Sequence, residues 1–506
     1  MEYDLKKTAV GVISKSLDAV SEQPVDIDFT LPDYCSDIEK ILRCRIIPKI
    51  YNRNLSGGQL QIDGTTVVNI IYTDSKNNVR ACEQSIPFNA SFSLKDIPDN
   101  PVIETYTKCE YLNCRPLSPR RLTVHGAFSL YAKVNSKGSL ELYSPESDSP
   151  LEYNTKDITV STVSALCQEQ FSAGDELRVV NKPPVELVLD SDVRANITDY
   201  KIIPDKLMFN GELNVRLLYL SGGDKSSVEQ VDYSIPFSKI VDCNGLDENT
   251  NAAVSLSLLS YDVRLKSDIL SENPVVNIDS RLCATVTGFE NENVTIVLDA
   301  YSTDYPVELD KCRATVAQNT DIIEDTFMFK DSVSDCDVNE VIDFNVKYTL
   351  NNYKIDQDKI KLCSKLNICI LALNKDNEPE YIERSLEFVK EIDNIGFNNI
   401  VSASAQIMSV SYRMADNGVI ELRCEIKYTV VVEDKTTYTM VKSIIVDDDT
   451  KLQKRCSALV LYFADKGESL WDIAKRYNTR KKLILEENSL DNDTLEKAEM
   501  ILIPLV

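Results

Sequence analysis

His125 is the sole histidine among 506 residues, so acid–base or nucleophilic chemistry built on an imidazole has one possible centre. It stands in the run Leu122-Thr123-Val124-His125-Gly126, where Val124 and Gly126 occupy the apolar side of a two-residue alternation, so His125 points the other way. That is the placement of a surface side chain. A Ser-His or Cys-His pair would need this residue, and an HExxH zinc site needs two histidines. No GxxxxGKS-like loop and no GxGxxG fingerprint occurs. Among 80 Asp+Glu, neighbouring carboxylates are unavoidable; Asp447-Asp448-Asp449 reads as a solvated linker. Asp33 and Asp37 read as capping and turn residues around a helix predicted over Ser36 to Leu42. Fourteen cysteines show no CxxC spacing, and Cys283, Cys369 and Cys424 fall in apolar strand patterns, so reduced thiols in a cytoplasm are expected. The expectation is a protein that is not an enzyme, with no catalytic residue, no cofactor and no metal.

Charge narrows the partners. The formal net charge is -25, and residues 457–506 hold seven Lys+Arg against nine Asp+Glu, so nearly all of the excess lies upstream. Such a chain repels nucleic acid. Within the tail, Lys475, Arg476, Arg480, Lys481 and Lys482 gather near one junction, where they either meet an acidic partner or complement a helix dipole. The first twenty residues carry only a short apolar patch, Thr8 to Ile13, and no stretch of 18 apolar residues occurs. Neither an export signal nor a membrane span is expected.

The elements that would carry any site repeat three times. Leu60 to Tyr72, Leu207 to Tyr219 and Ile360 to Ala372 superimpose without gaps, with alternate positions apolar or small. Period two means strand. Each run is read as one long strand with a small residue, Gly64, Gly211 or Ser364, where another element approaches closely. After each comes SIPF (Ser85 to Phe88, Ser234 to Phe237) or SLEF (Ser385 to Phe388), then a second long strand. Its inward face is Leu122, Val124, Gly126, Phe128 and Leu130 in the first copy; the others begin at Val276 and Ile420. The expected fold is mainly β: three tandem antiparallel β-sandwich-like repeats followed by a small α+β module of βααβ order. The boundaries expected are 1–150, 151–310 and 311–449 for the repeats, 450–457 for a linker and 458–506 for the module.

In that module, Tyr462 opens a short strand and Lys466-Gly467-Glu468 turns. Ser469 can cap a helix in which Leu470, Ile473, Ala474 and Tyr477 recur at helical spacing. Asn478 closes this helix, Thr479 can cap a second, Asn488 stops that one, and Ile501 to Pro504 supply a second strand. The segment resembles a LysM domain, with Gly467, Ser469, Leu470, Trp471, Ile473, Ala474, Asn488, Ile503 and Pro504 matching the family pattern. LysM modules grip N-acetylglucosamine polymers between the loop before helix 1 and the loop after helix 2, here Asp465 to Leu470 and Asn488 to Asn492. Departures at Lys481, Glu487 and Lys497-Ala498-Glu499 count against glycan and leave the groove to a protein segment. The predicted partner-binding surface is Lys466, Gly467, Ser469, Leu470, Asn488 and Leu490, with Trp471 read as core.

The first copy also carries Leu31-Pro32-Asp33 with Asp37-Ile38, then Gly64, Ile71-Tyr72, Pro87-Phe88 and Arg120-Arg121-Leu122, which together resemble a SPOCS domain. SPOCS repeats followed by a C-terminal LysM are the layout of SipL-like spore coat assembly proteins of clostridia. That resemblance implies a protein of the mother-cell cytoplasm that coats the forespore. It would bind the coat-anchoring ATPase, stage IV sporulation protein A, through the LysM, with other coat proteins as further partners. The alternative is a peptidoglycan or cortex glycan-binding protein.

Overall fold

Strand register is dictated by the alternation, and the computed structural model shows how far that pairing runs; it describes residues 2–146, 150–222, 227–266, 274–334, 338–415, 419–452 and 459–505. After a two-residue strand β1 (Glu2–Tyr3), repeat 1 comprises β2 (Lys6–Thr30), β3 (Lys40–Ser56), β4 (Gln59–Thr73), β5 (Val79–Ser93), β6 (Val102–Ser118) and β7 (Arg121–Ser144). Repeat 2 comprises β8 (Leu151–Leu177), β9 (Val185–Ile203), β10 (Lys206–Ser221), β11 (Val228–Asp242), β12 (Asn251–Lys266) and β13 (Val275–Ser302). Repeat 3 comprises β14 (Val307–Val333), β15 (Val338–Asp356), β16 (Lys359–Asn374), β17 (Pro379–Asp393), β18 (Asn399–Met414) and β19 (Ile420–Val446). In each, one antiparallel sheet is centred on the repeated strand, in the orders β3-β4-β5, β9-β10-β11 and β15-β16-β17. The second is centred on the long strand, in the orders β2-β7-β6, β8-β13-β12 and β14-β19-β18. The two sheets of repeat 1 share one core that holds Leu60, Ile62 and Ile70 from one and Leu122, Phe128 and Leu130 from the other. Repeats 2 and 3 are built the same way.

The small residues stand where the reading requires. Gly64 lies opposite Phe88 and Gly211 opposite Phe237, and a Cβ on either glycine would strike that ring and a backbone carbonyl, of Lys49 or Asn196. Ser364 faces Phe388 in the same register, and its hydroxyl meets Tyr348 OH at 2.7 Å. The SIPF phenylalanine thus folds across the gap that a missing side chain leaves.

Two expectations fail. No helix forms over Ser36 to Leu42; β3 already begins at Lys40, and the loop before it is tied to the neighbouring sheets. Leu31 and Ile38 donate backbone N–H groups to the carbonyls of Arg120 and Pro119, and Glu39 donates to Thr73. Arg120 Nη1 reaches the Cys35 carbonyl at 3.1 Å and the Asp37 carboxylate at 2.9 Å, and its Nη2 reaches the Pro32 carbonyl at 2.9 Å. One guanidinium therefore holds the LPD segment in a single turn, with Cys35 N–H bonded to the Pro32 carbonyl at 2.9 Å, that does not continue into a helix. The boundary expected between 310 and 311 falls inside β14, which starts at Val307, so the break lies in the turn at 303–306. The linker 450–457 lies mostly outside the described residues.

The thiol expectation fails as well. Cys167 on β8 and Cys243, just after β11, are joined as a disulfide with a Cα–Cα distance of 5.6 Å. The strand packing puts these backbones within the span a disulfide needs. Ten further cysteines among the described residues are free.

The repeats close into a ring. The third strand of each first sheet lies against the first strand of the next repeat's: β5 on β9, β11 on β15 and β17 on β3. Arg43, Asp190 and Asp343 hold equivalent positions around this ring, opposite Ile71, Leu218 and Leu371 in their own sheets. Arg43 and Arg45 both bind the Asp190 carboxylate, and Arg216 binds Asp343, all well shielded from solvent. Leu42, Ile71, Leu189, Leu218 and Leu371 form an apolar layer beside these ion pairs. At the chain's start, β1 pairs with the end of β19, Glu2 opposite Ile445 and Tyr3 opposite Ile444, which joins repeat 1 to repeat 3.

The second sheets also run past their sandwiches. Beyond Asn135, Phe289 and Glu433 the strands β7, β13 and β19 lose their third partner but stay paired with β2, β8 and β14. These three arms, two-stranded except where β1 adds to the end of β19, converge on one core that includes Val10 and Leu142, Ile158 and Ile296, and Val316 and Met440. Burial of apolar residues at the far ends explains why the strands reach 24, 28 and 27 residues.

Candidate functional site

The C-terminal module is a two-stranded sheet, β20 (Leu459–Ala464) with β21 (Glu499–Pro504), covered on one face by α1 (Leu470–Tyr477) and α2 (Lys481–Asn488). Leu470, Ile473, Ala474, Ile484, Ile501 and Ile503 form its core. Ser469 takes the extended backbone of an N-cap without a side-chain capping bond, and Asn478 ends α1 in the left-handed region at φ 50°. Thr479 does not cap α2: Arg480 holds that position, and the buried Thr479 hydroxyl donates to the Pro504 carbonyl at 2.5 Å.

The six residues predicted as a binding surface divide. Lys466 and Gly467 are exposed in the turn before α1, where Gly467 has φ +86°, and Ser469 and Leu490 are half-buried. Leu470 is fully buried in the module core and offers no surface for contact. The Asn488 amide donates to the carbonyls of Ile484 at 2.8 Å and Leu502 at 2.6 Å and accepts from Leu502 N–H at 2.7 Å. Both of its donors and its carbonyl oxygen are thereby engaged in tying α2 to β21.

Trp471 shows a second face that the sequence reading did not assign. Its ring is 5 % exposed, packed edge-on against Tyr301 of β13 with centroids 4.8 Å apart. Its indole N–H donates to Asp299 Oδ2 at 2.9 Å, the same oxygen that Lys475 Nζ reaches at 2.7 Å. Tyr301 OH donates to the Thr479 carbonyl at 2.7 Å, and Arg480 lies 3.6 Å from Glu152 of β8. The module is therefore docked on the arm of repeat 2. Burial works against the Asp299 carboxylate, but Lys475, the Trp471 N–H and Lys311 outweigh it and hold the group below its ordinary range. Two members of the basic cluster, Lys475 and Arg480, thus find their acidic partner within the chain. Arg476, Lys481 and Lys482 pair inside the module with Glu468, Asp493 and Glu486. The cluster was the legible half of this interface; Asp299 and Tyr301 sit in an ordinary strand alternation and gave no signal.

Among the described residues no competing chemical site emerges. His125 is exposed, bonded to Asp26 across the β2/β7 pair and tilted against Tyr111. Among the described residues no group of three or more His, Cys, Asp or Glu side chains could hold a metal ion. A cleft of about 410 Å³ between repeats 2 and 3 is lined by Asp192, Arg194, Arg216, Asp232 and Tyr412 among others. Its arginines are already engaged, Arg194 with Asn345 and the Val346 carbonyl and Arg216 with Asp343. Among the described residues no helix is long and apolar enough to cross a membrane.

Comparison with known families agrees with this architecture. The family described as SipL, SPOCS domain, matches residues 37–116 and 184–266, which span β3 to β6 of repeat 1 and β9 to β12 of repeat 2. The LysM domain family matches residues 465–504. No curated protein and no solved structure matches the chain. SPOCS and LysM are non-catalytic domain families, and their combination supports a sporulation coat-associated protein. With SPOCS-family matches in its first two repeats and a LysM-family match at residues 465–504, the chain has the layout of a SipL-like SPOCS-plus-LysM protein.

Proposed function

We propose that the chain is a non-enzymatic adaptor of spore coat assembly. It works in the mother-cell cytoplasm, at the forespore surface, and binds a coat-anchoring ATPase of the stage IV sporulation protein A type through its LysM domain. The observation that carries this reading is the division of the module into two faces. The α1 face is spent on Asp299 and Tyr301, whereas Lys466, Gly467, Ser469 and Leu490 form no hydrogen bond or ion pair with the described residues of the repeats and keep exposed surface. A module pinned on one side and open on the other presents its loops at a fixed orientation. Leu470 and Asn488 support that surface from below.

The test is capture of the purified ATPase by the full chain, with Lys466→Glu and Leu490→Asp combined. We expect affinity to fall at least about tenfold, ~1.4 kcal/mol, with thermal unfolding unchanged. Undiminished capture would overturn the groove as the contact. Saturable binding of the full chain to purified peptidoglycan, lost in the same variant, would favour the glycan reading instead.

A further inference from the structure

Repeat 2 differs from its neighbours at one corner. Cys167 of β8 lies opposite Val286 of β13, and the residues at the matching register in the other repeats are Ala19, opposite Ala132, and Ile323, opposite Val430. Cys243 follows β11, and its N–H donates to the Asp205 carbonyl at 2.9 Å. Leu94 and Asn394 follow β5 and β17 in the same way, donating to the carbonyls of Gly58 and Asp358 at 2.8 Å. Repeat 1 closes this corner by apolar contact, with Ala19 and Leu94 both packed on its core. In repeat 3 the Asn394 amide donates to the Phe397 carbonyl at 2.9 Å. Of the three corners, that of repeat 2 alone is tied by a covalent bond.

This corner is also seated without its sulfur atoms. Gly245, at φ +91°, lies so close to β8 that a Cβ on it would stand 2.5 Å from the Ser164 carbonyl. Leu246 is buried against Gly288 of β13, and Thr250 Oγ1 donates to Glu290 Oε1 at 2.7 Å. Packing and hydrogen bonds therefore hold residues 243–250 on β8 and β13. With the bond open, two thiols on backbones 5.6 Å apart stay within the span a disulfide needs. The two sulfurs are unequally accessible, since Cys243 is 1 % exposed whereas Cys167 is half-buried.

We propose that Cys167 and Cys243 are an exchangeable redox pair, in which Cys167 forms the mixed disulfide with a low-molecular-weight thiol and Cys243 resolves it. Access sets the order of events. In closing, the Cys167 thiolate attacks one sulfur of the reagent RSSR, forms Cys167–S–S–R and expels RS⁻, which takes up the proton that Cys167 lost. Cys243 then loses its proton and attacks Cys167 Sγ, forming the Cys167–Cys243 bond and expelling a second RS⁻, which is protonated in turn. Two protein thiols are oxidised and one reagent disulfide is reduced to two thiols. Excess thiol runs the same steps backward, with RS⁻ attacking Cys167 Sγ and releasing Cys243. Closing fastens β8 to the corner of the first sheet. Because β8 pairs with β13 as far as Tyr301, the bond stiffens the strands on which the C-terminal module is docked. The pair operates whatever that module binds.

The experiment takes the full-length protein, opens it with reduced glutathione without denaturant, then closes it with oxidised glutathione, with alkylation and non-reducing peptide mapping at each stage. The expected maps show the Cys167–Cys243 link lost and then regained, with the same circular dichroism throughout. The closed form should melt at least about 5 °C above the open one. In Cys243→Ser the second step has no nucleophile, so glutathione should accumulate on Cys167; in Cys167→Ser, Cys243 should stay unmodified. Replacing Cys167 by Ala together with Cys243 by Leu copies the corner of repeat 1, and the melting of that variant should not depend on redox state. A link that opens only in denaturant, an open form that loses its β signal, or glutathione on Cys243 of Cys167→Ser would overturn the assignment. So would a redox-dependent melting shift that survives in the double variant. The wild-type maps decide this even if a single variant fails to fold.

Discussion

Trp471 Nε1 donates to Asp299 Oδ2 at 2.9 Å, and through that bond the last domain of the chain is attached to the middle repeat. The chain has one tryptophan, so its fluorescence reports on this contact alone. Replacing Asp299 by Ala removes the shared acceptor of Trp471 and Lys475. A hydrogen bond to a charged group contributes about 1.5 to 3 kcal/mol. The emission should shift to the red and become more accessible to iodide, while the circular dichroism of the β repeats stays the same. An unshifted spectrum would mean that Tyr301 and the Arg480–Glu152 pair hold the module without Asp299.

The joint between repeats 1 and 2 depends on Asp190, which compensates two arginines. Asp190→Ala leaves the shielded Arg43 without its paired carboxylate and Arg45 with only Asp192 at 3.7 Å, and breaking such a pair costs about 3 to 5 kcal/mol. Denaturant unfolding should register that loss. Replacing all three residues by Leu should restore most of it, because an apolar joint has no charge to desolvate. Failure of the triple variant to recover would show that the pairs select repeat order as well as filling space.

Gly64→Ala tests the gap beneath Phe88. The added methyl meets the Phe88 ring and the Lys49 carbonyl, one a side chain and the other backbone. Overpacking of this kind costs about 1 to 3 kcal/mol. The melting temperature should fall, and truncating Phe88 to Ala in the same chain should recover only part of it, because the carbonyl cannot move aside.

Acid sensitivity should centre on Asp192. Burial disfavours its carboxylate, but Arg194 and Arg45 outweigh this and bring the group from an ordinary 3.8 to about 2. A carboxyl whose folded value lies below its unfolded value binds protons more tightly in the unfolded chain, so its stabilising effect is complete above the unfolded value. That contribution is lost as pH falls from about 4 toward 2. Asp192→Asn should therefore flatten the pH dependence of stability in that window, read by urea titrations at each pH. An unchanged slope would assign the acid loss to other carboxylates.

Much of this was legible in the chain because the signals were local. Gly64 and Gly211 announced a close approach, the alternation from Leu122 to Leu130 announced the buried face, and Leu470, Ile473 and Ala474 announced an amphipathic helix. What lay between repeats was not legible. Arg43 and Arg45 in β3, and Asp190 and Asp192 in β9, alternate with apolar residues as the outward positions of any surface strand do. Period two separates one face from the other; it does not say whether the second face meets water or another repeat. The helix predicted over Ser36 to Leu42 failed for the same reason, since the groups that hold that loop open, Arg120 and the Thr73 carbonyl, are distant in sequence. At the C-terminal module, residue identity located the turn at Gly467, but Leu470 and Asn488 matched the family pattern because they build the module.

The shared core of the three arms sets a load path. The LysM domain grips β13 at Asp299 and Tyr301, and Ala300 between them belongs to that core together with Leu142 of repeat 1 and Met440 of repeat 3. Tension applied through a bound partner would enter all three repeats side by side, not one after another as in a string of beads. Because β1 also stitches repeat 1 to repeat 3, no repeat can be peeled away without disturbing the others. A protein fastened between two surfaces by such a hub would yield as one body or not at all.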